Sequence, residues 1–175
     1  MATILKLVER GELVKLDVEL GPSEMEQRCI YFHHRCAGGL YDRLSKMVSQ
    51  WKVESSPIEQ FDELTYHFVT GDSIDFPRQF RDLIHRRDGI WELKTPDLRL
   101  FGWFATMDCF ICTDVADANE VKHGPKGAVN FHGSLYAGYC EQAGYWRDQL
   151  DLDEPKFLTG RDPQDVVTNS YRSKP

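Results

Sequence analysis

A chain of 175 residues and 20.3 kDa can bury a real core without disulfide or metal staples. Hydrophobic residues make up 41% and charged residues 28%, the balance of a globular rather than a disordered chain. Twenty-one basic against 28 acidic residues give a net charge of −7, which excludes coating of nucleic acid by overall charge and leaves a local basic site open.

In chain order, residues 3–20 alternate apolar and polar side chains around Glu9-Arg10-Gly11-Glu12, which predicts a β-hairpin. Gly21-Pro22 stops it. Residues 23–36 fit two descriptions. Ser23-Glu24-Met25-Glu26 reads as a helix cap, and Cys29-Ile30-Tyr31-Phe32 reads equally as a strand. Leu40, Leu44, Met47, Val48 and Trp51 fall on one helical face. Ser56-Pro57-Ile58-Glu59 then supplies a capping residue, a proline at the first helical position and a carboxylate reaching back. Ile58, Phe61, Leu64 and Phe68 continue that second helix to Gly71-Asp72. Residues 73–89 are polar and partly irregular.

Three strands are expected next, at residues 90–94, 98–105 and 109–115. Their short connections imply an antiparallel meander. A loop carrying Lys122, His123, Lys126 and His132 follows, then a helical stripe over residues 135–150. The expected fold class is α+β, a small antiparallel sheet made of the three-strand central meander plus the N-terminal hairpin, packed against helices. Residues 1–150 read as one domain. Residues 151–175 read as an acidic extension with a short helix after Asp162-Pro163, frayed from Asn169 onward.

No run of roughly 18 apolar residues is present, so no membrane span is expected. The first residues lack a basic region followed by an apolar one. Five cysteines, Cys29, Cys36, Cys109, Cys112 and Cys140, favour reduced thiols in a cytoplasm. Cys109-Phe110-Ile111-Cys112 has redox-pair spacing, but in a strand a separation of three sends the side chains to opposite faces. His33 and His34, near Cys29 and Cys36, invite a metal reading that lacks a second close pair of ligands. Residues 78–127 hold 8 basic and 8 acidic residues, the least acidic stretch, with Arg78, Arg81, Arg86 and Arg87 close together.

The strings Gly89-Ile90-Trp91-Glu92-Leu93-Lys94 and Arg99-Leu100-Phe101-Gly102-Trp103-Phe104 resemble the RelE/HigB toxin superfamily, its phage-derived HigB-like branch above all. The resemblance runs over about residues 79–150. It departs from the family at Lys94, where an arginine is usual, and in the acidic balance. It implies a cytoplasmic, metal-independent endoribonuclease without a cofactor, cutting mRNA on the ribosome and silenced by an antitoxin protein. Homodimers are compatible with it.

Carried onto this sequence, the resemblance makes Lys94, Arg99 and His123 the catalytic groups. They would stabilise a phosphorane and move protons. Arg81, Arg86, Arg87, Lys122 and Lys126 would contact RNA. The alternative is a non-catalytic phage or bacterial protein-interaction module on the same RelE-like scaffold, docking through a free sheet edge.

Overall fold

A computed structural model describes residues 1–51, 53–125 and 134–173. The first apolar group is a helix, α1 (Ile4–Glu9), rather than a hairpin strand. Thr3 caps it, its hydroxyl accepting from the Lys6 amide at 3.4 Å. Ile4, Leu7 and Val8 share one helical face, and Leu5, off that face, is 69% exposed. The chain turns at Gly11, with φ at +73°, into β1 (Leu13–Lys15). The ambiguous segment resolves as β2 (Cys29–His33) followed by one turn of helix, α2 (His34–Ala37). Next, α3 (Leu40–Ser45) ends earlier than its apolar stripe suggested, leaving Val48 and Trp51 exposed.

Helix α4 (Pro57–Thr70) has the expected start and stop. Ser56 accepts from the Glu59 amide, Glu59 accepts from the Ser56 amide, and Gly71 closes the helix in the left-handed region. Two short strands follow, β3 (Ile74–Phe76) and β4 (Phe80–Asp82). The meander is β5 (Trp91–Lys94), β6 (Leu98–Thr106) and β7 (Cys109–Asp117), all antiparallel. Two helices, α5 (Ala118–His123) and α6 (Tyr136–Gln149), precede a 3-10 turn at Pro163–Asp165 and β8 (Ser170–Arg172).

The sheet corrects the expected fold class. It is six-stranded and mixed, in the order β1-β2-β7-β6-β5-β4, with β2 and β7 parallel. A second sheet pairs β3 with β8 in parallel. A small antiparallel meander with an N-terminal hairpin is therefore not what forms. β1 pairs with β2 instead of with residues 3–9, and β8 orders residues expected to fray. Parallel pairing requires β2 to be covered on both faces, and Ile30, Tyr31, Phe32 and His33 are all buried. That continuous burial left its sequence without a clear period.

Helices cover both faces of the sheet. On one, Phe61, Leu64 and Phe68 of α4 pack with Trp91, Leu93, Leu100 and Phe104. On the other, Leu7 of α1 and Tyr136, Cys140 and Ala143 of α6 pack with Phe101, Trp103 and Ile111. Cys109 and Cys112 go to opposite faces. No grouping of histidine, cysteine and carboxylate side chains among the described residues could hold a metal ion. No described helix is long and apolar enough to cross a membrane.

The C-terminal segment is tied in by Arg28. Its guanidinium donates to the carbonyls of Phe68, Asp72, Gly71 and Thr168, and lies 3.3 Å from Asp108 Oδ1. Asp108 in turn accepts from the Thr168 amide and hydroxyl, both at 2.8 Å.

Strands β6 and β7 change register between Phe101 and Gly102, as a β-bulge does. A Cβ on Gly102 would lie 2.0 Å from the Ile111 carbonyl oxygen. Gly102→Ala is therefore expected to lower unfolding free energy by about 1–3 kcal/mol, read by chemical denaturation. An unchanged midpoint would show that β7 yields there at no cost.

Candidate anion-binding site

The site is built on the α6-covered face of β4, β5 and β6. Register sets it. Arg81 pairs with Glu92, Glu92 with Phe101, and Lys94 with Arg99. Because side chains alternate along a strand, these residues share one face, while Trp91 and Leu93 point into the α4 core.

Glu92 lies at the centre and is 0% exposed. Arg81 Nε donates to its Oε1 at 2.5 Å, and Arg99 Nε stands 3.9 Å from its Oε2. Oε2 has no hydrogen-bond partner. Arg99 is 7% exposed. Its Nε donates to the Tyr136 hydroxyl at 3.2 Å, and its Nη1 donates to the carbonyls of Thr95 and Leu98 at 2.5 and 2.6 Å. Arg81 and Arg86 sit over the Tyr136 ring, 5.2 and 5.6 Å from its centroid. Lys122, near the end of α5, lies over Trp51 at 5.1 Å.

Arg81, Lys94, Arg99 and Lys122 thus gather about one carboxylate, with Arg86 beside them over Tyr136, and the two lysines are lowered. Burial pulls Lys94 down to about 8, with Arg81, Arg99 and Lys122 adding to the shift and Glu92 opposing it. Lys122 is also lowered, by burial and then by Arg99. Such a cluster attracts a further anion, because one carboxylate leaves most of its positive charge uncompensated.

Of the residues singled out from sequence, the structure gathers Arg81, Arg86, Lys94, Arg99 and Lys122. It does not bring in Arg87, which pairs with Asp148 at 2.9 Å and Glu141 at 3.7 Å on α6. His123 is exposed at the end of α5 and makes no hydrogen bond or ion pair among the described residues. Lys126 and His132 lie outside the described residues. Sequence reasoning missed the central role of Glu92, and the contributions of Tyr136 and Trp51. The even spacing of Glu92 and Lys94 in a strand was the available signal for the first. Nothing local pointed to the other two.

No family model matches the chain, and no solved structure matches it. Two curated proteins do. The NAD-dependent protein deacetylase of Listeria monocytogenes serovar 1/2a is 30% identical over 111 residues, covering 63% of this chain and 42% of that protein. The NAD-dependent protein deacetylase of Listeria innocua serovar 6a is 29% identical over the same length and shares. The chain therefore spans less than half the length of these relatives. They overturn the toxin reading. The similar proteins are named deacetylases, and none of them points to the RelE/HigB superfamily, to an endoribonuclease or to a toxin–antitoxin system. The alternative of an interaction module on a RelE-like scaffold finds no support either. The structure supplies the physical reason. Trp91, Leu93, Leu100, Phe101, Trp103 and Phe104, most of the apolar positions that carried the resemblance, are core residues, and apolar strands of this kind recur wherever a sheet is covered on both faces.

Proposed function

We propose that the cationic face of β5 and β6 binds the diphosphate of NAD. The observation that carries this reading is the gathering of Arg81, Lys94, Arg99 and Lys122 about the buried carboxylate of Glu92, with Arg86 beside them over Tyr136, in a chain whose net charge is −7. The names of the two Listeria relatives supply NAD as the candidate.

The residues present fit a diphosphate. Lys94 and Arg99 stand opposite each other across β5 and β6, so two cationic groups face the ligand side by side. Lys122 and Arg86 extend the positive surface on either side. Trp51 is 45% exposed and offers a flat ring beside them for a base or a nicotinamide. The sequence carries no G-x-G-x-x-G run, so side chains rather than a glycine-rich backbone loop would hold the phosphates. Glu92 orients Arg81 and Arg99 before the ligand arrives. All five cysteines are unbridged, which supports a reducing compartment such as the cytoplasm.

Isothermal titration with NAD, ADP-ribose and adenosine tests the reading. NAD and ADP-ribose are expected to bind comparably, and adenosine, lacking phosphate, to bind weakly or not at all. Arg99→Gln is expected to weaken NAD at least about tenfold, as loss of a charged hydrogen-bond partner does. Lys122→Gln, at a more exposed position, provides a variant with little effect on folding and the same direction of change. Saturable adenosine binding equal to that of NAD, or no NAD binding, would overturn the proposal.

The lowered Lys94 adds a pH signature. An anion favours the ammonium form, and that form is lost as pH rises through about 8. NAD affinity is therefore expected to fall between neutral pH and the region above 9. In Lys94→Met the affinity is lower at neutral pH and falls less steeply over the same range, the remaining slope coming from Lys122. A wild-type profile no steeper than the variant's would remove Lys94 from the site.

A further inference from the structure

A second polar cavity lies on the same side of the sheet, apart from the cationic face. It occupies about 130 Å³ and is lined by Arg35, Arg43, Thr113, Asp114, Gln142 and Trp146, among others. Its place follows from the topology. The β2–β7 ladder ends at Phe32 and Cys112, after which β2 turns into α2 while β7 runs on to Asp117. A crevice at the carboxyl ends of parallel strands that part is a recurrent ligand position. The β6–β7 bulge falls at the same point, since Phe101 pairs with Asp114 and Gly102 with Cys112.

The cavity carries both signs of charge. The Arg35 guanidinium lies over Trp146, 4.3 Å from the ring centroid. Arg43 Nη2 donates to the Val115 carbonyl at 3.1 Å, which leaves its other N–H groups for a ligand. Asp114 Oδ1 accepts from Gln142 Nε2 at 2.9 Å. Its Oδ2 is buried with no partner. Burial raises the Asp114 carboxyl, while the Thr113 hydroxyl first and then Arg35 and Arg43 hold it down. A simple anion leaves the Asp114 oxygen unmatched, and a simple cation meets two guanidiniums. A zwitterion answers both. The volume corresponds to roughly four water molecules, which suits a molecule of amino-acid size.

We propose that this cavity is a binding site for a small α-amino acid. Its carboxylate lies toward Arg35 and Arg43, its ammonium on Asp114 Oδ2, and its aliphatic part against Trp146. The site is independent of the NAD reading, because the stacked rings of Phe101 and Tyr139, 4.8 Å apart, stand between it and the cationic face.

Amide and indole chemical shifts of the full chain, titrated with glycine, acetate and methylammonium, test the proposal. Glycine is expected to give saturable shifts at Thr113, Asp114 and the Trp146 indole. Acetate should bind at least about tenfold more weakly, for want of the hydrogen bond to a charged partner, and methylammonium more weakly still. Asp114→Asn should remove the preference for glycine over acetate, and Gln142→Ala, which leaves the charge in place, should weaken glycine alone. NAD binding is unchanged in both variants. Equal response to glycine and acetate in the unaltered chain, no response to glycine, or a preference for glycine that survives Asp114→Asn would each overturn it.

Discussion

The Glu92 carboxylate, sealed from solvent in the middle of β5, is the constraint on which the rest of the site depends. Burying an unpaired carboxylate is costly, and nature tolerates it where cations and hydrogen bonds compensate. Arg81 and Arg99 reach Glu92 from the two neighbouring strands, so the pairings of β4 with β5 and β5 with β6 are fixed by electrostatics as well as by backbone hydrogen bonds. A slip of one residue would send Glu92 into the apolar core against α4. Arg99 is held further by two backbone carbonyls and the Tyr136 hydroxyl. Its guanidinium is consequently rigid, which lowers the entropic cost of meeting a ligand.

The positive face is local in a molecule whose charge is otherwise negative. Acidic residues dominate the N-terminal 77 positions, with 13 against 8 basic ones. Attraction of a small anion to the sheet therefore depends on short-range contacts, since charges beyond a Debye length are screened at physiological ionic strength. A compact diphosphate suits such a site better than a long polyanion, which would also meet the acidic surface around it.

The two polar regions share one organising element, α6. Tyr136 contacts Arg99 and lies under Arg81 and Arg86. Three residues on, Tyr139 stacks on Phe101 at an interplanar angle of 4°. Further along, Gln142 and Trp146 line the small cavity. Tyr136 lies on the sheet-facing side with Cys140 and Ala143, while Tyr139, Gln142 and Trp146, at spacings of three and four, form the adjoining flank of the helix.

Sequence was sufficient where the governing interactions are local. The cap of α4 is written in Ser56, Pro57 and Glu59, and the β5–β7 meander in its short turns and apolar strands. The same period-two logic placed Lys94 and Arg99 on adjacent strands. It failed at residues 4–8, because a short apolar group fits a helical face and a strand equally well. It failed again at β2, buried on both sides. The resemblance to a toxin family was carried largely by packing residues, and packing says little about chemistry. What the chain determined by itself was therefore its local elements and its one neutralised segment among acidic ones. Only the tertiary structure decided that β2 runs parallel to β7, that Glu92 is sealed between two guanidiniums, and that Trp51 and Tyr136 join them. Those facts depend on contacts between residues far apart in sequence, and a contact of that kind leaves no local period to read.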